Sequence, residues 1–363
     1  MTPLLKKMVT LKNEFHSTSI ADFISVRYQR SQALAALISI LCLLGIVPYL
    51  TIQLKSVIAS FHVLVPTVNE ASALLKYFDI LIVLMMAFFT IIFGVRHLDP
   101  TEKHPGMMVA LAFESLFKLF AMLIGTLWIC YAINPGVLHL FDQVALIEQT
   151  QASLQQISTQ NWLSFMLIGA VGIMTLPRQF HVGIVECADA NFLDRAKWLF
   201  PLYLLLINVF TFPVALAGIL SPELRNSPDL LLISLPLLEN ARAIAIITFL
   251  GGFAAATGMI MISAMTLSTM LTNHIMIPTI MSFPALSPLK RQVLQIRWLM
   301  VLLVLFLSLF YYRVIGDSQL IVKIGTISFI ATAQFAPALI GGLIWRGGNL
   351  AGAVSGLLVG SSL

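Results

Sequence analysis

The sequence predicts an all-α polytopic membrane protein. Of its 363 residues 59% are hydrophobic and only 10% are charged, and the mean hydropathy is +0.94. A soluble globular domain carries about 25% charged residues, so that class of protein is excluded. The net charge of +5 does not indicate nucleic-acid binding, because the basic residues are spread over several loops and form no single patch.

About nine apolar windows are candidates for crossing the hydrocarbon core of the bilayer, which takes roughly 20 residues. They cover residues 32–54, 78–95, 108–133, 162–184, 198–220, 241–271, 293–312, 320–345 and 350 to the end. The last window is too short to cross alone, so we expect the chain to stop inside a span. Residues 19–28 predict a short interfacial helix capped by Ser19. The chain thus divides into an N-terminal segment, residues 1–30, and a transmembrane domain, residues 31–363.

Basic residues predict the orientation of these spans. They lie before the first window and then in every second loop, at Lys6, Lys7, Lys12, Arg27, Arg30, Arg96, Lys103, Arg195, Lys197, Lys290, Arg291 and Arg346. By the positive-inside rule the N-terminus is cytoplasmic, and we expect the membrane to be the bacterial inner membrane. The loop at residues 134–161 has no Lys or Arg. Its apolar residues predict a helix on the outer face, at Val137, Leu138, Phe141, Val144, Ala145 and Leu154.

A proline interrupts the fourth window within residues 172–181. Pro177 has no N–H and clashes with the carbonyl four residues back, so the helix is expected to kink or unwind near Met174. Breaks of this kind form the substrate sites of transporters. The candidate substrate-binding residues at the break are therefore Pro177, Arg178, Gln179 and Phe180.

The alternative to a broken helix is a helix end. In that interpretation the span stops at Leu176, and Arg178 and His181 mark the cytoplasmic rim of the membrane. Position in the sequence does not decide between the two interpretations.

Two charged residues lie within the third window. Glu114 and Lys118 are four residues apart, so they share a helix face and are expected to pair. A charge near the bilayer centre costs about 2.5–3.5 kcal/mol on insertion scales, so both should face the interior of the bundle. They form either an internal pair that takes part in proton coupling or a structural pair in which Lys118 extends toward the inner surface.

The sixth window predicts one helix from Asn240 to Pro278, with Pro278 as its stop. Its middle, residues 251–258, is rich in small residues, which favours close packing of helices over an ion site. Thr257 and Ser263 are nevertheless candidate ion ligands. Hydroxyl groups in membrane helices usually form hydrogen bonds to their own turn. The alternative is that Thr257 and Ser263 both do so and bind no ion.

No catalytic, cofactor or metal site is predicted. His97 and His104 lie in a mixed-charge loop, residues 96–106, but no Cys or further His stands at ligand spacing, so a solvated loop accounts for them. The sequence has no phosphate-binding glycine loop, nucleophile elbow or zinc motif. We therefore do not expect this chain to be an enzyme.

Four stretches resemble the sodium:solute symporter family, and more closely the symporter-like membrane domain of CbrA-type sensor histidine kinases. They are SIADF at 19–23 with Arg27-Tyr28, FGVRHLD at 93–99 through FESLFKL at 113–119, LPRQFHV at 176–182, and FAPALIGGLIWR at 335–346 with Asn349. The last is general to the symporters, and the second and third resemble the sensor-kinase branch. Together they span nearly the whole chain.

This resemblance implies a LeuT-like inverted-repeat bundle of five plus five helices, in which a broken first and a broken sixth core helix surround the substrate. The window from Gln32 then corresponds to the third core helix and the break at Pro177 to the sixth. The first two core helices are lacking, so we expect the sequence to be a fragment. Where sodium-coupled members place adjacent Ser and Thr hydroxyls, this sequence has Gly258 and Met259. A thioether is a poor sodium ligand, so sodium coupling is not expected unless Thr257 substitutes for the missing pair of hydroxyls.

The function that the resemblance implies is binding or transport of a small, amino-acid-like solute by the membrane domain of a sensor histidine kinase in a two-component system. Arg178 is expected to pair with a solute carboxylate, and Gln334 beside Pro337 is a further candidate for the same cavity. The alternatives are a free-standing sodium- or proton-coupled transporter and a sensory membrane anchor that does not transport. Expected partners are the solute, the bilayer and, through a kinase module outside these residues, a response regulator. No cofactor and no nucleic acid is expected.

Overall fold

The structure is a computed structural model that describes residues 2–65, 77–98, 101, 103–145, 158–221, 224, 227–315 and 321–362. Every regular element within these ranges is helical, as the sequence predicts. Among the described residues, six helices are long and apolar enough to cross a membrane, and a bent pair of helices is a seventh candidate. The chain is therefore an integral membrane protein with several spans.

The helices are numbered in chain order. They are α1 (Thr2–Phe15), α2 (Ile20–Arg27), α3 (Gln32–Leu64), α4 (Phe78–Gly94), α5 (Pro105–Trp128), α6 (Val137–Ala145), α7 (Thr159–Thr175), α8 (Pro177–Phe180), α9 (Phe192–Leu220), α10 (Leu231–Leu238), α11 (Arg242–Leu271), α12 (Ile277–Ser282), α13 (Val293–Ile315), α14 (Ile321–Ala333), α15 (Ala336–Ile344) and α16 (Leu350–Ser362). Turns of π-helix continue α5, α8 and α11, at Ile129–Ile133, His181–Val185 and Thr272–Met276. Segments of 3₁₀-helix, Pro228–Leu230 and Pro284–Gln292, precede α10 and α13.

All the apolar windows of the sequence contain helix. Several of them hold helices shorter than a full span, among them α4 with 17 residues and α16 with 13. The eighth window is divided into α14 and α15 near Gln334. The helix α10 is not predicted from the sequence, since its eight residues are too few to give a spanning window.

Buried apolar side chains form one large cluster centred on α3 and α11, which includes Ile38, Leu50, Ile260 and Met265. A smaller cluster joins the end of α5 to α6, α9 and α10. The expected helix in the loop at residues 134–161 is α6, whose Leu140 and Val144 are buried in the smaller cluster. Leu154 of the same pattern lies outside the described residues.

The N-terminal segment is fixed to the helical bundle by polar contacts. Ser19 caps α2 as predicted, because its Oγ accepts a 3.1 Å hydrogen bond from Asp22 N. At the other end of α2, Arg27 Nε donates to Gly342 O at 2.7 Å, and the Tyr28 hydroxyl donates to Ala338 O at 3.0 Å. The helix α2 is therefore bound to α15.

Lysines of α1 reach three separate segments. Lys6 pairs with Asp194 of α9 at 2.7 Å, and Lys7 Nζ donates to a carbonyl of α15, Leu343 O, at 2.6 Å. Lys12 is almost fully buried, and its Nζ donates to Val185 O at 3.0 Å and to Cys187 O at 3.1 Å. Burial and the nearby Lys103 lower the pKa of Lys12.

Pro278 does not end the long helix, contrary to the sequence prediction. The helix begins at Arg242 and continues through a π-turn and α12 to Ser282. Proline deprives the carbonyl four residues back, that of His274, of its helical donor. Gln32 Nε2 donates a 2.9 Å hydrogen bond to this carbonyl. The missing bond is thus replaced from α3, and the helix continues.

Candidate functional site

The fourth window is a broken helix. The helix α7 ends at Thr175, Leu176 is extended with ψ 121°, and α8 begins at Pro177. The two parts meet at a bend of 53°. The break falls close to the predicted position near Met174, and helix continues beyond it to Val185. This continuation favours the broken helix over a span that simply ends at Leu176.

Arg178, the second residue after the break, is bound to α3. Its Nη1 donates a 2.6 Å hydrogen bond to the Tyr49 hydroxyl, and its Cζ lies 4.3 Å from the centroid of the Tyr49 ring. The same hydroxyl donates to the Met259 sulfur of α11 at 2.9 Å. Arg178, Tyr49 and Met259 are therefore joined by consecutive hydrogen bonds. These bonds connect the helix break to α3 and α11, the two helices at the centre of the large core.

The Arg178 guanidinium retains a free donor. Its Nε is buried and has no hydrogen-bond partner among the described residues. A buried donor without a partner costs about 1–3 kcal/mol, and guanidinium binds carboxylates through pairs of parallel N–H groups. The guanidinium therefore keeps, beside its bond to Tyr49, a buried donor for which the described residues supply no acceptor.

The other candidates at the break face different surroundings. Pro177 is buried, and Phe180 is fully buried with its ring edge-on to Phe23 at a centroid distance of 5.4 Å. Gln179 lines a largely apolar cavity of about 690 Å³ between α1, the broken helix and α9. Arg178 is not among the residues that line this cavity. The consecutive side chains of the break thus do not converge on one described cavity.

Gln334 also lies apart from the break. It lines another cavity, of about 410 Å³, together with Tyr28 and residues of α15 and α16. No residue from 177 to 180 lines that cavity. The Gln334 amide oxygen packs so closely on Gly360 that a Cβ there would overlap it. The structure does not bring Gln334 to Arg178.

Glu114 and Lys118 share a face of α5, but each contacts a different helix. The Lys118 ammonium lies 5.5 Å from the centroid of the Tyr203 ring of α9. Glu114 points to α11, where its Oε2 is so close to Gly258 that a Cβ on that residue would overlap it. Among the described residues, Glu114 Oε2 has no hydrogen-bond partner. Gly258 therefore provides the space that a buried carboxyl occupies.

The two candidate ion ligands of α11 differ in their hydrogen bonding. Thr257 Oγ1 donates to carbonyls of its own turn, Phe253 O at 2.7 Å and Ala254 O at 2.9 Å. Ser263 Oγ is buried and has no partner in the described part of the chain. The same holds for three further hydroxyls of this helix and its π-turn, those of Thr266, Thr269 and Thr272.

A second polar group, which the sequence does not predict, lies where the broken helix ends. His104 N donates to Glu186 at 2.8 Å to Oε1 and 3.1 Å to Oε2. His104 Nδ1 is 3.2 Å and His181 Nε2 is 3.4 Å from Glu186 Oε1. Burial raises the pKa of Glu186, but the hydrogen bonds from His104 and the proximity of His181 outweigh burial and lower this pKa to about 2.

The burial of His104 corrects the prediction that a solvated loop accounts for it. Its side chain is only 10% exposed, because the residue immediately precedes α5 and its backbone and ring are both held by Glu186. No local signal relates residues that are 82 positions apart. Only the three-dimensional structure brings them together.

No protein-family model matches the sequence, and no curated protein matches it either. The resemblance to the sodium:solute symporters therefore depends on the four quoted stretches, and membership of that family stays a prediction. The site itself consists of the broken helix, Arg178 with Tyr49 and Met259, and Glu114 against Gly258.

Proposed function

We propose that this chain is a symporter-fold membrane module that binds a small organic solute carrying a carboxylate, and that it serves as the sensory or transport domain of a sensor histidine kinase. The observation that carries the proposal is the position of Arg178 directly after the helix break, with a buried Nε that has no partner among the described residues. Discontinuous membrane helices are where transporters bind their substrates. A half-buried guanidinium with a buried donor at such a break favours an anionic group.

The proposal assigns Arg178 as the carboxylate-binding group and Tyr49 as the residue that positions it. Tyr49 holds Nη1 and covers one face of the guanidinium, which leaves Nε for the solute. Because the donor is already oriented, less conformational entropy is lost when a carboxylate binds.

Coupling to sodium has little support in the residues of α11. Met259 has a thioether and already accepts the Tyr49 hydroxyl, and Thr257 is bonded to its own turn. Glu114 is the candidate for coupling to protons, since its carboxyl faces the bundle without a partner among the described residues. Ionisable groups inside membrane bundles commonly mark proton pathways.

Ligand-dependent thermal stability tests the proposal. The detergent-purified chain is heated with each of the twenty proteinogenic L-amino acids and with short mono- and dicarboxylates. We expect at least one carboxylate to raise the melting temperature of the wild type. Arg178→Gln should weaken its binding about tenfold or more, because a hydrogen bond to a charged group contributes about 1.5–3 kcal/mol. Arg195→Gln, at an exposed arginine at the start of α9, is the matched control.

Two results would contradict the proposal: no carboxylate stabilises the wild type, or Arg178→Gln and Arg195→Gln respond alike. Uptake of a stabilising compound into proteoliposomes then separates a transporter from a sensory anchor. Accumulation driven by a pH gradient, and its loss in Glu114→Gln, would support proton coupling. Binding without accumulation would support the sensory anchor.

A further inference from the structure

The group formed by His104, His181 and Glu186 has the composition and spacing of a metal site. One ligand atom from each residue lies within 4.8 Å of the others. Two imidazoles and one carboxylate are the protein ligands of a well-known class of zinc sites that keep a fourth position open. His104 immediately precedes α5, His181 is the first residue of the π-turn after the helix break, and Glu186 directly follows that turn.

The two distances to Glu186 within the group suit a tetrahedral ion. With metal–ligand bonds of about 2.0–2.1 Å, tetrahedral geometry places neighbouring ligand atoms roughly 3.3 Å apart. His104 Nδ1 and His181 Nε2 lie 3.2 and 3.4 Å from Glu186 Oε1. Zinc can therefore enter between these atoms with small side-chain adjustments.

The hydrogen-bonding state of His181 independently indicates a missing partner. Its side chain is only 1% exposed, its Nε2 lies 3.4 Å from Glu186 Oε1 without hydrogen-bond geometry, and its Nδ1 has no partner in the described part of the chain. Buried polar atoms in folded proteins are nearly always satisfied by protein or by a bound species. A metal ion at Nε2 would satisfy this nitrogen and would also neutralise the buried Glu186 carboxylate.

Access and rigidity also favour binding. Glu186 lines the cavity of about 690 Å³ described above, which gives an ion a route to the carboxylate. The residues on either side of Glu186 are fixed, because Lys12 Nζ donates to both Val185 O and Cys187 O. A rigid backbone at a ligand residue reduces the cost of assembling the coordination sphere.

We propose that His104, His181 and Glu186 bind one Zn²⁺, with a fourth position open to water. The ion would connect the start of α5 to the end of the broken helix. Since the two segments are otherwise joined here by the bonds between His104 and Glu186, zinc would stabilise the orientation of the helix beyond the break.

The test measures zinc binding by the full chain, purified in detergent without a polyhistidine tag. The protein is stripped with a chelator, loaded with zinc, gel-filtered and assayed for metal by mass spectrometry, and its affinity is measured by competition with a chromogenic chelator. We expect one zinc per chain in the wild type and in His97→Ala, since His97 is exposed in the same loop. Glu186→Gln and His181→Ala should each weaken zinc binding roughly tenfold or more.

Two further measurements keep the test independent of folding defects. Co²⁺ should give the visible absorption of a four-coordinate ion in the wild type and not in Glu186→Gln, which preserves the shape of the side chain. Zinc should raise the melting temperature of the wild type and of His97→Ala but not that of Glu186→Gln. The proposal is overturned if the wild type holds no zinc after gel filtration, or if Glu186→Gln holds as much zinc as His97→Ala.

Discussion

Arg178 donates a 2.6 Å hydrogen bond to the Tyr49 hydroxyl while its guanidinium carbon lies 4.3 Å from the centroid of the same ring. One tyrosine thus supplies both an acceptor and a π-face to the first charged residue after the helix break. A cation over an aromatic ring gains about 0.5–1 kcal/mol at an exposed site and about 2 kcal/mol when desolvated, and Arg178 is half-buried. This pair fixes the broken helix against α3.

Removing the Tyr49 hydroxyl should destabilise the protein. Tyr49→Phe keeps the ring but leaves Arg178 Nη1 without its acceptor and Met259 without its donor. We expect the free energy of unfolding to fall by about 1–3 kcal/mol, as measured by unfolding in detergent. Tyr131→Phe, at a tyrosine that is 67% exposed, is the control. Equal stability of the two variants would show that the hydrogen bond contributes nothing.

Adding a single methyl group to α11 should affect the stability of the protein differently at two positions. At Gly258 a Cβ would overlap the Glu114 carboxylate, whereas at Gly252 it meets nothing within 4 Å. We expect Gly258→Ala to destabilise the protein by about 1–3 kcal/mol. Gly252→Ala should be neutral or slightly stabilising, because alanine favours helix.

A double mutant identifies the cause of the Gly258 effect. Glu114→Ala removes the carboxylate that the new methyl group would meet, so Gly258→Ala should cost less in that background. Thermal unfolding of the four proteins gives the coupling energy. If Gly258→Ala lowers the stability equally in both backgrounds, the close approach of Glu114 is not the cause of the destabilisation.

Gln32 and Pro278 should be energetically coupled. Gln32→Leu removes the side chain that donates to His274 O, and we expect a cost of about 0.5–1.5 kcal/mol. Pro278→Ala restores a backbone N–H that can bond within the helix. Gln32→Leu should therefore be nearly neutral in the Pro278→Ala protein. Additive stability changes in a double-mutant cycle would contradict this explanation of the continuous helix.

Replacing Arg27 by lysine should lower the stability of the protein. Arg27 donates through Nε to Gly342 O and through Nη2 to Trp345 O and Arg346 O. An ammonium group cannot reproduce this fork, so Arg27→Lys should lower the melting temperature although the charge is unchanged. Arg30→Lys, at an exposed arginine, should have no effect. Limited proteolysis should also show earlier cleavage near residue 346 in Arg27→Lys only.

The sequence predicts most of the helices because span length and apolar composition are local properties. The cap at Ser19 and the break at Pro177 were also predictable, since each depends on the chemistry of a single residue type. The helix α10 was missed because eight residues between two loops do not form a spanning window. The continuation through Pro278 was missed because its compensating donor, Gln32, lies in another helix.

The candidate site was only partly predictable. The position of Arg178 beside the break makes it a candidate, but its partner Tyr49 is 129 residues away and nothing in either local pattern relates them. The spacing of Glu114 and Lys118 correctly predicts a shared face, yet the neighbouring helices draw the two side chains to Gly258 and Tyr203. The cluster at Glu186 depends on a contact across 82 residues, so only the fold reveals it.

The lysines of α1 also constrain the order in which the chain can assemble during translation. Their partners lie 173 to 336 residues further along the sequence. At a synthesis rate of about 5–20 residues per second, the partner of Lys7 emerges roughly 20–70 s after Lys7 itself. Until that point Lys7 cannot form this bond, whereas the partners of Lys6 and Lys12 emerge after about half as many residues. The helix α1 therefore reaches its final position only after α15 has been synthesised.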